Sequence, residues 1–300
     1  MPIGLVSVII PVRNGLPHLD VQLTALAALD YDGTFEVIVS DNGSTDGLRG
    51  HLDKVAVPYP LRWVDSSGTR GVSHARNVGI NAARGQFLAI VDADDAVHPN
   101  WLTALTHAAS NYDAIGGAIE VSTLNSPEVA TWRDVPPAGQ LFATPYLPYA
   151  PGSNFAMWRR VVDKVGYFDE NFIGGGDDVD YSWRIQQAGM ALGHAPDAVV
   201  AYRLRSTLRE TFRQGTNYGS TVCLLTRKHS PLGCPDAKPL PQIPAHLATI
   251  VYLTLVRNPW VPSILRPLSR GQWVHSIGLQ YGALTMRLRL LGHGMRATSR

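Results

Sequence analysis

Three carboxylates follow directly on an apolar run. Residues 87–91 read Phe-Leu-Ala-Ile-Val, and Asp92, Asp94 and Asp95 come next. The apolar run predicts a strand buried on both faces of a parallel sheet, and ligands of such sheets bind beyond the carboxyl ends of the strands. Three anions so close repel one another, so either one takes up a proton or a bound cation offsets the repulsion. Carboxylate oxygens suit Mg²⁺ or Mn²⁺ held jointly with a phosphate.

A second acidic group follows three consecutive glycines. Glycines 174–176 precede the run Asp177-Asp178-Val179-Asp180, and the helical pattern after them ends at Gly189. Three glycines predict a loop that can move or let a ligand approach closely. Acids at the start of a helix are also favoured by its dipole and free N–H groups, so capping is the alternative here, as it is for Asp94 or Asp95. Capping needs only one or two of these acids.

Alternating strand and helix patterns predict the scaffold that positions both groups. Strands are predicted at residues 6–11, 35–39, 61–64, 87–91, 114–121, 155–158 and 198–205, and helices at 16–29, 71–83, 177–189, 208–225 and from 273 onward. Strand, helix and strand in succession predict right-handed βαβ units. The glycine-rich fingerprint of dehydrogenases is missing from residues 11–14. Residues 122–150 contain five prolines and are predicted to form a long irregular excursion, and loops of this length in a compact domain are usually functional or mobile.

The composition is that of an ordinary soluble globular protein. Its 300 residues are enough to bury a full core in one large domain or two small ones. The two cysteines, Cys223 and Cys234, have no zinc-binding spacing, which favours a reducing compartment. The N-terminus runs straight into a strand without the basic region of a signal peptide. We therefore expect a cytoplasmic protein.

The formal net charge of +2 hides an asymmetry. Residues 237–300 contain no Asp or Glu but eight Lys and Arg, so the rest of the chain carries a charge of −6. Such a split suggests an anionic partner for the basic part. Within that part Ile277, Tyr281, Leu284, Leu288 and Leu291 recur at steps of three and four. They predict an amphipathic helix, which either lies on an anionic membrane surface or packs against the rest of the protein. The apolar residues 245–256 are too few to span a bilayer, which needs about 20.

Four segments in succession resemble the signatures of family 2 glycosyltransferases of the GT-A fold. They are Val8-Ile9-Ile10-Pro11-Val12-Arg13-Asn14, Val39-Ser40-Asp41-Asn42-Gly43-Ser44-Thr45-Asp46, Ala75-Arg76-Asn77-Val78-Gly79 and Asp92-Ala93-Asp94-Asp95. Their order and spacing make the resemblance specific, and it covers about residues 5–225. It implies an α/β GT-A fold, a Rossmann-like mixed sheet flanked by helices. Residues 1–230 would form the catalytic domain, with a nucleotide-binding half to about residue 120 and an acceptor and catalytic half from 121 to 230. Residues 231–300 would form a basic, amphipathic helical tail.

The resemblance also implies roles for single residues. The donor-binding set would be Pro11, Arg13, Asp41, Arg76, Asp92, Ala93, Asp94 and Asn154. In that set Asp94 and Asp92 would hold Mn²⁺ or Mg²⁺ on the diphosphate, and Gly152 would lie near the donor sugar with Asn154. For Asp41 the alternative is a plain Asx turn, and for Arg76 a solvated helix face.

The second acidic group resembles the family pattern Glu-Asp-x-Asp, whose second acid is the general base. Asp178 inherits that role, and Asp177 and Trp183 fall on the acceptor side. The implied reaction is a metal-dependent, inverting hexosyl transfer from a UDP-, GDP- or dTDP-type sugar to a glycan or lipid-linked acceptor of the cell envelope. No nucleic acid is expected as a partner. If the tail touches a membrane, the protein would lie on the inner face of that membrane as a peripheral protein.

The chain departs from the family pattern at two places. Asp177 is one methylene shorter than the usual Glu, and Tyr202 and Arg203 stand where many relatives have a metal-binding histidine. Arg203 or Arg205 could substitute by pairing with diphosphate oxygens. These departures leave open a non-catalytic nucleotide-sugar-binding scaffold of the same fold. A separate alternative is a phosphohydrolase that uses Asp-x-Asp as nucleophile and acid, although such motifs normally follow a first strand.

Overall fold

The computed structural model describes residues 3–137, 139–235, 239–261 and 268–297. Its strands are β1 (Val6–Val12), β2 (Phe35–Asp41), β3 (Leu61–Asp65), β4 (Phe87–Val91), β5 (Ala96–Val97), β6 (Ala114–Glu120), β7 (Asn154–Trp158) and β8 (Leu192–Ala201). Its helices are α1 (His18–Ala27), α2 (Leu48–Leu52), α3 (Val72–Ala82), α4 (Trp101–Ala108), α5 (Pro127–Ala130), α6 (Arg159–Val165), α7 (Asp177–Gln187), α8 (Leu208–His229), α9 (Pro239–Leu255) and α10 (Arg270–Ala297), with a 3₁₀ helix at Ser230–Leu232.

These strands form one mixed sheet in the order β3-β2-β1-β4-β7-β6-β8-β5. The first four in that order are parallel, and β7 runs antiparallel to both β4 and β6. From β1 the chain moves outward to β2 and β3 and then returns to β4 on the other side of β1. In open α/β sheets such a reversal opens a crevice at the carboxyl ends of the two central strands, and ligands bind there.

Side chains of the central strands alternate between two helical layers. Val8 and Ala89 belong to a core shared with α1 and α4, whereas Ile9 and Ile90 belong to a core shared with α3, α6 and α7. Because successive residues of a strand point to opposite faces, burial on both faces requires the unbroken apolar runs seen in β1 and β4. The predicted mixed α/β sheet with flanking helices is confirmed.

Most predicted elements differ from the observed ones by one to four residues at an end, and the last predicted strand differs by more. The helix predicted at 16–29 is α1, which spans only His18–Ala27, and the Leu16 N–H just before it donates to Asp46 Oδ2 (3.0 Å). The strand predicted at 198–205 is β8, which starts at Leu192 and ends at Ala201. It starts earlier because residues 192–195 already pair with residues 114–117 of β6. It ends earlier because the Arg203 N–H donates to a side chain, that of Asp95.

The chain groups into two compact units. The sheet unit comprises residues 1–124, 135–173 and 177–203, and the helical unit comprises residues 125–134, 174–176 and 204–300. All eight strands named above lie in the sheet unit, and α8, α9 and α10 lie in the helical unit. This grouping differs from the boundary predicted at residue 230, because α8 packs against α10.

Within the helical unit, α8 and α10 touch backbone to backbone. A Cβ placed on Gly219 would overlap the Leu279 carbonyl, and one on Gly282 would overlap the Thr216 carbonyl. Gly215 and Gly278 repeat this relation one turn away. The Gly-x-x-x-Gly spacing on both helices therefore allows an approach that larger side chains would prevent. None of the helices in the described ranges is long and apolar enough to cross a bilayer.

Candidate active site

Loops after β1 and β2 are tied together at the carboxyl edge of the sheet. Val12 pairs with Asp41, so both strands end at the same level. Beyond them the side-chain oxygen of Asn14 accepts a hydrogen bond from the Thr45 N–H (2.7 Å). Asn14 has φ of 54°, a left-handed conformation that Asn tolerates better than most residues. These contacts hold the first two signature segments side by side.

Three predicted donor-binding residues lie at this edge. Pro11 is buried within β1 opposite Ser40, and Arg13 is exposed just past the strand. Asp41 is buried, and its Oδ1 accepts from the Ser44 N–H (2.8 Å). The Asx-turn alternative therefore accounts for one oxygen of Asp41. The structure brings these residues together, and their contact with a donor stays a prediction.

The first acidic group forms a compact cluster. One ligand oxygen from each of Asp92, Asp94 and Asp95 lies within 4.8 Å of the others. The Asp95 Oδ1 accepts from the Arg203 N–H (2.8 Å), and the Arg203 Nε donates to the Asp94 carbonyl (2.8 Å). The capping alternative for Asp94 and Asp95 is wrong, because α4 begins at Trp101 with Asn100 as its N-cap. Arg203, one of the two residues that depart from the family pattern here, braces the backbone of the turn formed by residues 92–95, which we call the acidic turn.

The donor set of this cluster fits a hard divalent cation. Carboxylate oxygens are the ligands that Mg²⁺ and Mn²⁺ prefer. Burial raises the pKa of Asp92 above its ordinary value, and the charges of Asp94 and Asp177 add to this effect while Arg76 opposes it. A bound cation would favour the ionised form and so lower that pKa. Asp94 and Asp92 are thus suitably placed to share an ion, while Asp95 is fully buried in the turn.

Arg76 joins the two acidic groups. Its Nη1 donates to Asp177 Oδ2, and its Nη2 donates to Asp92 Oδ1 (3.2 Å) and to the Gly152 carbonyl (3.1 Å). The side chain is only 5% exposed, so the solvated-face alternative is wrong. The carboxylates of Asp177, Asp92 and Asp178 raise the pKa of Arg76 despite its burial, so it stays charged. The second acidic group is therefore fixed against the first through one guanidinium.

The three acids that begin α7 have separate partners. Asp177 is buried in the ion pair with Arg76, and Asp180 is buried in one with Arg184 (2.9 Å). Asp178 accepts from the Gly152 N–H (3.0 Å) and the Val179 N–H (2.8 Å). Asp177 thus reaches its partner despite the methylene that it lacks relative to Glu. Simple capping does not account for this group.

The carboxyl group of Asp178 is a weaker acid than an ordinary Asp side chain. Burial, and next the charge of Asp177, raise the pKa of Asp178 to about 6, against the lowering effects of Gly152 and Arg76. A carboxylate with this pKa is ionised at neutral pH, yet it is a stronger base than an ordinary Asp. Asp178 can therefore accept a proton from a hydroxyl group that is held against it.

Two other predicted residues position the site from within. Asn154 is fully buried. Its Oδ1 accepts a hydrogen bond from Trp101 Nε1, and its Nδ2 donates to the carbonyls of Ala118 and Ala198 (each 2.8 Å). Ala93 is also buried. Trp183, buried on α7, donates from Nε1 to the Leu147 carbonyl (2.7 Å) and so anchors part of the excursion predicted at 122–150. Asn154 and Trp183 therefore act through the segments that they hold.

The sequence analysis did not identify two side chains, Gln22 and Asn77, that hold backbone segments of the site by hydrogen bonds. Buried Gln22 of α1 donates to the Asp92 carbonyl (3.0 Å) and accepts from the Val97 N–H (3.1 Å). Asn77 exchanges hydrogen bonds with both backbone groups of Phe168 (2.9 and 3.0 Å). Asn77 lies in one of the four segments that resemble the family, so its importance could have been predicted. Gln22 lies outside them, and nothing in its sequence context indicates a role at the site.

Comparisons with known proteins identify relatives of this chain. The model of "Glycosyl transferase family 2" matches residues 7–166, and that of "Glycosyl transferase family group 2" matches residues 87–265. Glycosyltransferase AglE of Haloferax volcanii is 31% identical over 218 residues, which cover 70% of this chain and 71% of AglE. The pre-mycofactocin glycosyltransferase of Mycobacterium tuberculosis is 30% identical over 240 residues, covering 75% of this chain and 48% of that protein.

Solved structures with the same fold include two nucleotide-sugar complexes. A mannosyltransferase of Pyrobaculum calidifontis with GDP-Man and Mn²⁺ has a TM-score of 0.57 at 24% identity, over 98% of this chain and 80% of that one. TarS residues 1–349 of S. aureus with UDP-GlcNAc have a TM-score of 0.55 at 16% identity, over 96% and 92%. At these identities the likeness concerns the fold alone. The predicted GT-A fold is confirmed.

Proposed function

The chain belongs to glycosyltransferase family 2, and from this premise we propose that it is a metal-dependent, inverting hexosyltransferase. It would move a sugar from a nucleoside diphosphate to an acceptor hydroxyl. The observation that carries the proposal is the bridge made by Arg76, which ties the turn holding Asp92 to the helix that begins at Asp177 and Asp178. Arg76 would thereby hold the candidate metal-binding turn and the candidate base in a fixed relation, as a displacement reaction requires.

The donor side would be the carboxyl edge of β1, β2 and β4. Pro11, Arg13 and Asp41 would line the base and ribose, and the turn of Asp92, Ala93 and Asp94 would face the diphosphate. Arg13 supports this assignment as an exposed cation at the edge. Mn²⁺ or Mg²⁺ would be held by Asp94 and Asp92, and would offset the charge that develops on the departing diphosphate. Relatives of the same fold bind GDP-Man or UDP-GlcNAc, so the donor would be of the UDP, GDP or dTDP type.

Asp178 would be the general base. Its carboxylate takes the proton of the acceptor hydroxyl while the hydroxyl oxygen bonds to the anomeric carbon and the bond to the diphosphate breaks. Its pKa of about 6 leaves it ionised at neutral pH. One carboxylate on the attacking face gives a single displacement, so the anomeric configuration inverts. Asp177 and Trp183 would position the acceptor side through Arg76 and the segment at Leu147.

The acceptor would be a glycan or a lipid-linked precursor of the cell envelope. The basic, acid-free residues 237–300 support a site of action at an anionic surface. We propose that the protein is cytoplasmic and binds peripherally to the inner face of the membrane.

Calorimetric titration tests the donor site. UDP, GDP and dTDP are titrated into wild type, Asp94→Asn and the control Asp32→Asn, each with and without Mn²⁺. Asp32 is exposed in the loop before β2 and far in sequence from the acidic turn. We expect one nucleotide to bind wild type and the control in a metal-dependent manner, and to bind Asp94→Asn at least about tenfold more weakly. Absence of binding by all three nucleotides would contradict the proposal.

A turnover assay distinguishes the proposed enzyme from the alternative, a non-catalytic scaffold. Hydrolysis or transfer of the matching sugar nucleotide by wild type, lost in Asp178→Asn with nucleotide binding retained, would support catalysis. Metal-dependent binding without any turnover of its sugar nucleotide would support the scaffold.

A further inference from the structure

Helix α9 exposes its apolar side chains. Leu240, Leu247, Val251 and Leu255 follow one another at steps of seven and four residues, which places them on one face of the helix. They are 65%, 49%, 55% and 73% exposed. Tyr252, also on α9, and Trp260 and Val261, beyond the end of the helix, add to the exposed apolar surface. We call these seven residues the α9 surface. A helix at a water-facing position normally shows the opposite arrangement, with its apolar stripe turned inward.

The face of α9 turned toward α10 carries a polar contact. His246 Nε2 accepts from Arg287 Nε (3.0 Å), so the proton of this imidazole lies on Nδ1 and is donated to Gln280 Oε1 (2.7 Å). Arg287 is buried. On the same side Leu253 is buried, and its carbonyl accepts from Trp273 Nε1 (2.9 Å). These contacts between α9 and α10 therefore do not involve the residues of the α9 surface.

The charged residues of this part of the chain indicate which partner the α9 surface would contact. No residue of α9 is charged, and residues 237–300 contain no acid. In the same unit Arg270 and Arg289 are exposed, and Arg257 is half-buried just after α9. An apolar stripe on a segment that carries exposed cations and no acids fits a membrane that contains anionic phospholipid. A second protein surface would not require the absence of acids.

We propose that the α9 surface is the membrane-docking element of this protein. α9 would lie in the plane of the headgroup region, with the α9 surface among the upper acyl chains and the arginines at the phosphates. At 17 residues α9 is shorter than a spanning helix. This inference deepens the proposed peripheral membrane association and names α9, rather than the stripe predicted on α10, as its basis. On α10 only Tyr281 and Leu288 of that predicted stripe are among the exposed large apolar residues of the described chain.

Co-sedimentation with vesicles tests the docking. Wild type, the triple variant Leu247→Gln/Val251→Gln/Leu255→Gln and the control Val21→Gln are mixed with vesicles of phosphatidylcholine alone or with added phosphatidylglycerol. Val21 is a 40% exposed valine of α1 in the sheet unit, so it matches the chemistry of Val251 at another site. We expect wild type and the control to bind the anionic vesicles, and the triple variant to bind about a hundredfold more weakly, from the lost burial of three side chains. Equal binding by wild type and the triple variant would overturn the proposal.

Fluorescence and light scattering distinguish a membrane from a second copy. Emission of Trp260, taken as the difference between wild type and Trp260→Phe, should be quenched by brominated lipids in anionic vesicles. If wild type is a dimer in solution, the triple variant is a monomer and vesicle binding is the same for both, then the surface is a dimer interface and the proposal fails.

Nucleotide titration of the same variants distinguishes failure of the docking proposal from failure of the donor-site proposal. A triple variant that loses vesicle binding but keeps metal-dependent nucleotide binding supports the docking surface. If wild type binds vesicles and no nucleotide, the docking surface stands and only the donor-site proposal fails.

Discussion

Removing the charge of Arg76 should change stability and acid–base behaviour together. In Arg76→Gln the carboxylates of Asp92 and Asp177 lose the guanidinium that both contact, and Asp178 loses a nearby positive charge. Removing one partner of a buried ion pair leaves an uncompensated charge, which costs about 3–5 kcal/mol. We expect a loss of this size in the free energy of unfolding at pH 8, measured by urea denaturation.

The loss should become smaller as the pH falls. Without Arg76 the pKa values of Asp92 and Asp178 in the folded protein rise further above those in the unfolded chain. Groups with a raised folded pKa bind protons more readily in the folded state, so stability increases as the pH decreases through that pKa. At pH 5.5 the carboxyl group of Asp178, whose pKa is already about 6 in wild type, is largely protonated, and the difference between Arg76→Gln and wild type should shrink.

The pH–rate profile gives an independent readout. Arg76 lowers the pKa of Asp178 in wild type. In the variant the acid limb of kcat/KM for donor turnover should therefore move upward by about one pH unit. Arg62→Gln is the control, because Arg62 pairs with buried Glu36 (2.9 Å) on β2 and not with the acidic groups. It should lower stability by on the order of 2 kcal/mol and leave the acid limb in place. An equal stability loss at both pH values, with an unmoved acid limb, would refute the role given to Arg76.

Two further predictions concern the base and the helix crossing. Wild-type kcat/KM should fall as the pH drops through about 6, since Asp178 is then protonated, and Asp178→Asn should lose about 100-fold or more in kcat, measured by product release. Gly219→Ala should destabilise the helical unit by about 1–3 kcal/mol, because its Cβ would overlap the Leu279 carbonyl on α10. Thermal denaturation checks this, with Gly50→Ala of α2 as the control, since no atom lies near its Cβ position. An unchanged Tm in Gly219→Ala would contradict the close backbone contact.

Local patterns were enough to identify most elements of the sheet unit. The run Phe87–Val91 predicted a strand buried on both faces, and it forms β4 at the centre of the sheet. Runs of β-branched residues likewise identified β1 and β2. These predictions succeed because burial on both faces of a strand leaves room only for apolar side chains, a constraint visible in a few adjacent residues.

The acidic turn was also visible in sequence, but the partners of its residues were not. That Asp92, Asp94 and Asp95 would cluster followed from their adjacency after a strand. That Arg203 would brace their turn depended on where β8 ends, more than a hundred residues later. The predicted strand 198–205 hid this, since residues 202–205 alternate between charged and uncharged side chains as a strand can, although the pairing ends at Ala201.

Tertiary structure alone decided which groups act together and which faces stay exposed. Sequence spacing could not show that Arg76 joins Asp92 to Asp177, because the three residues come from different elements brought together by folding. Likewise the apolar content of α9 was plain in sequence, but periodicity does not specify which face another helix covers. That depends on which helix lies beside it: α10 takes the side of His246, and the α9 surface is left exposed.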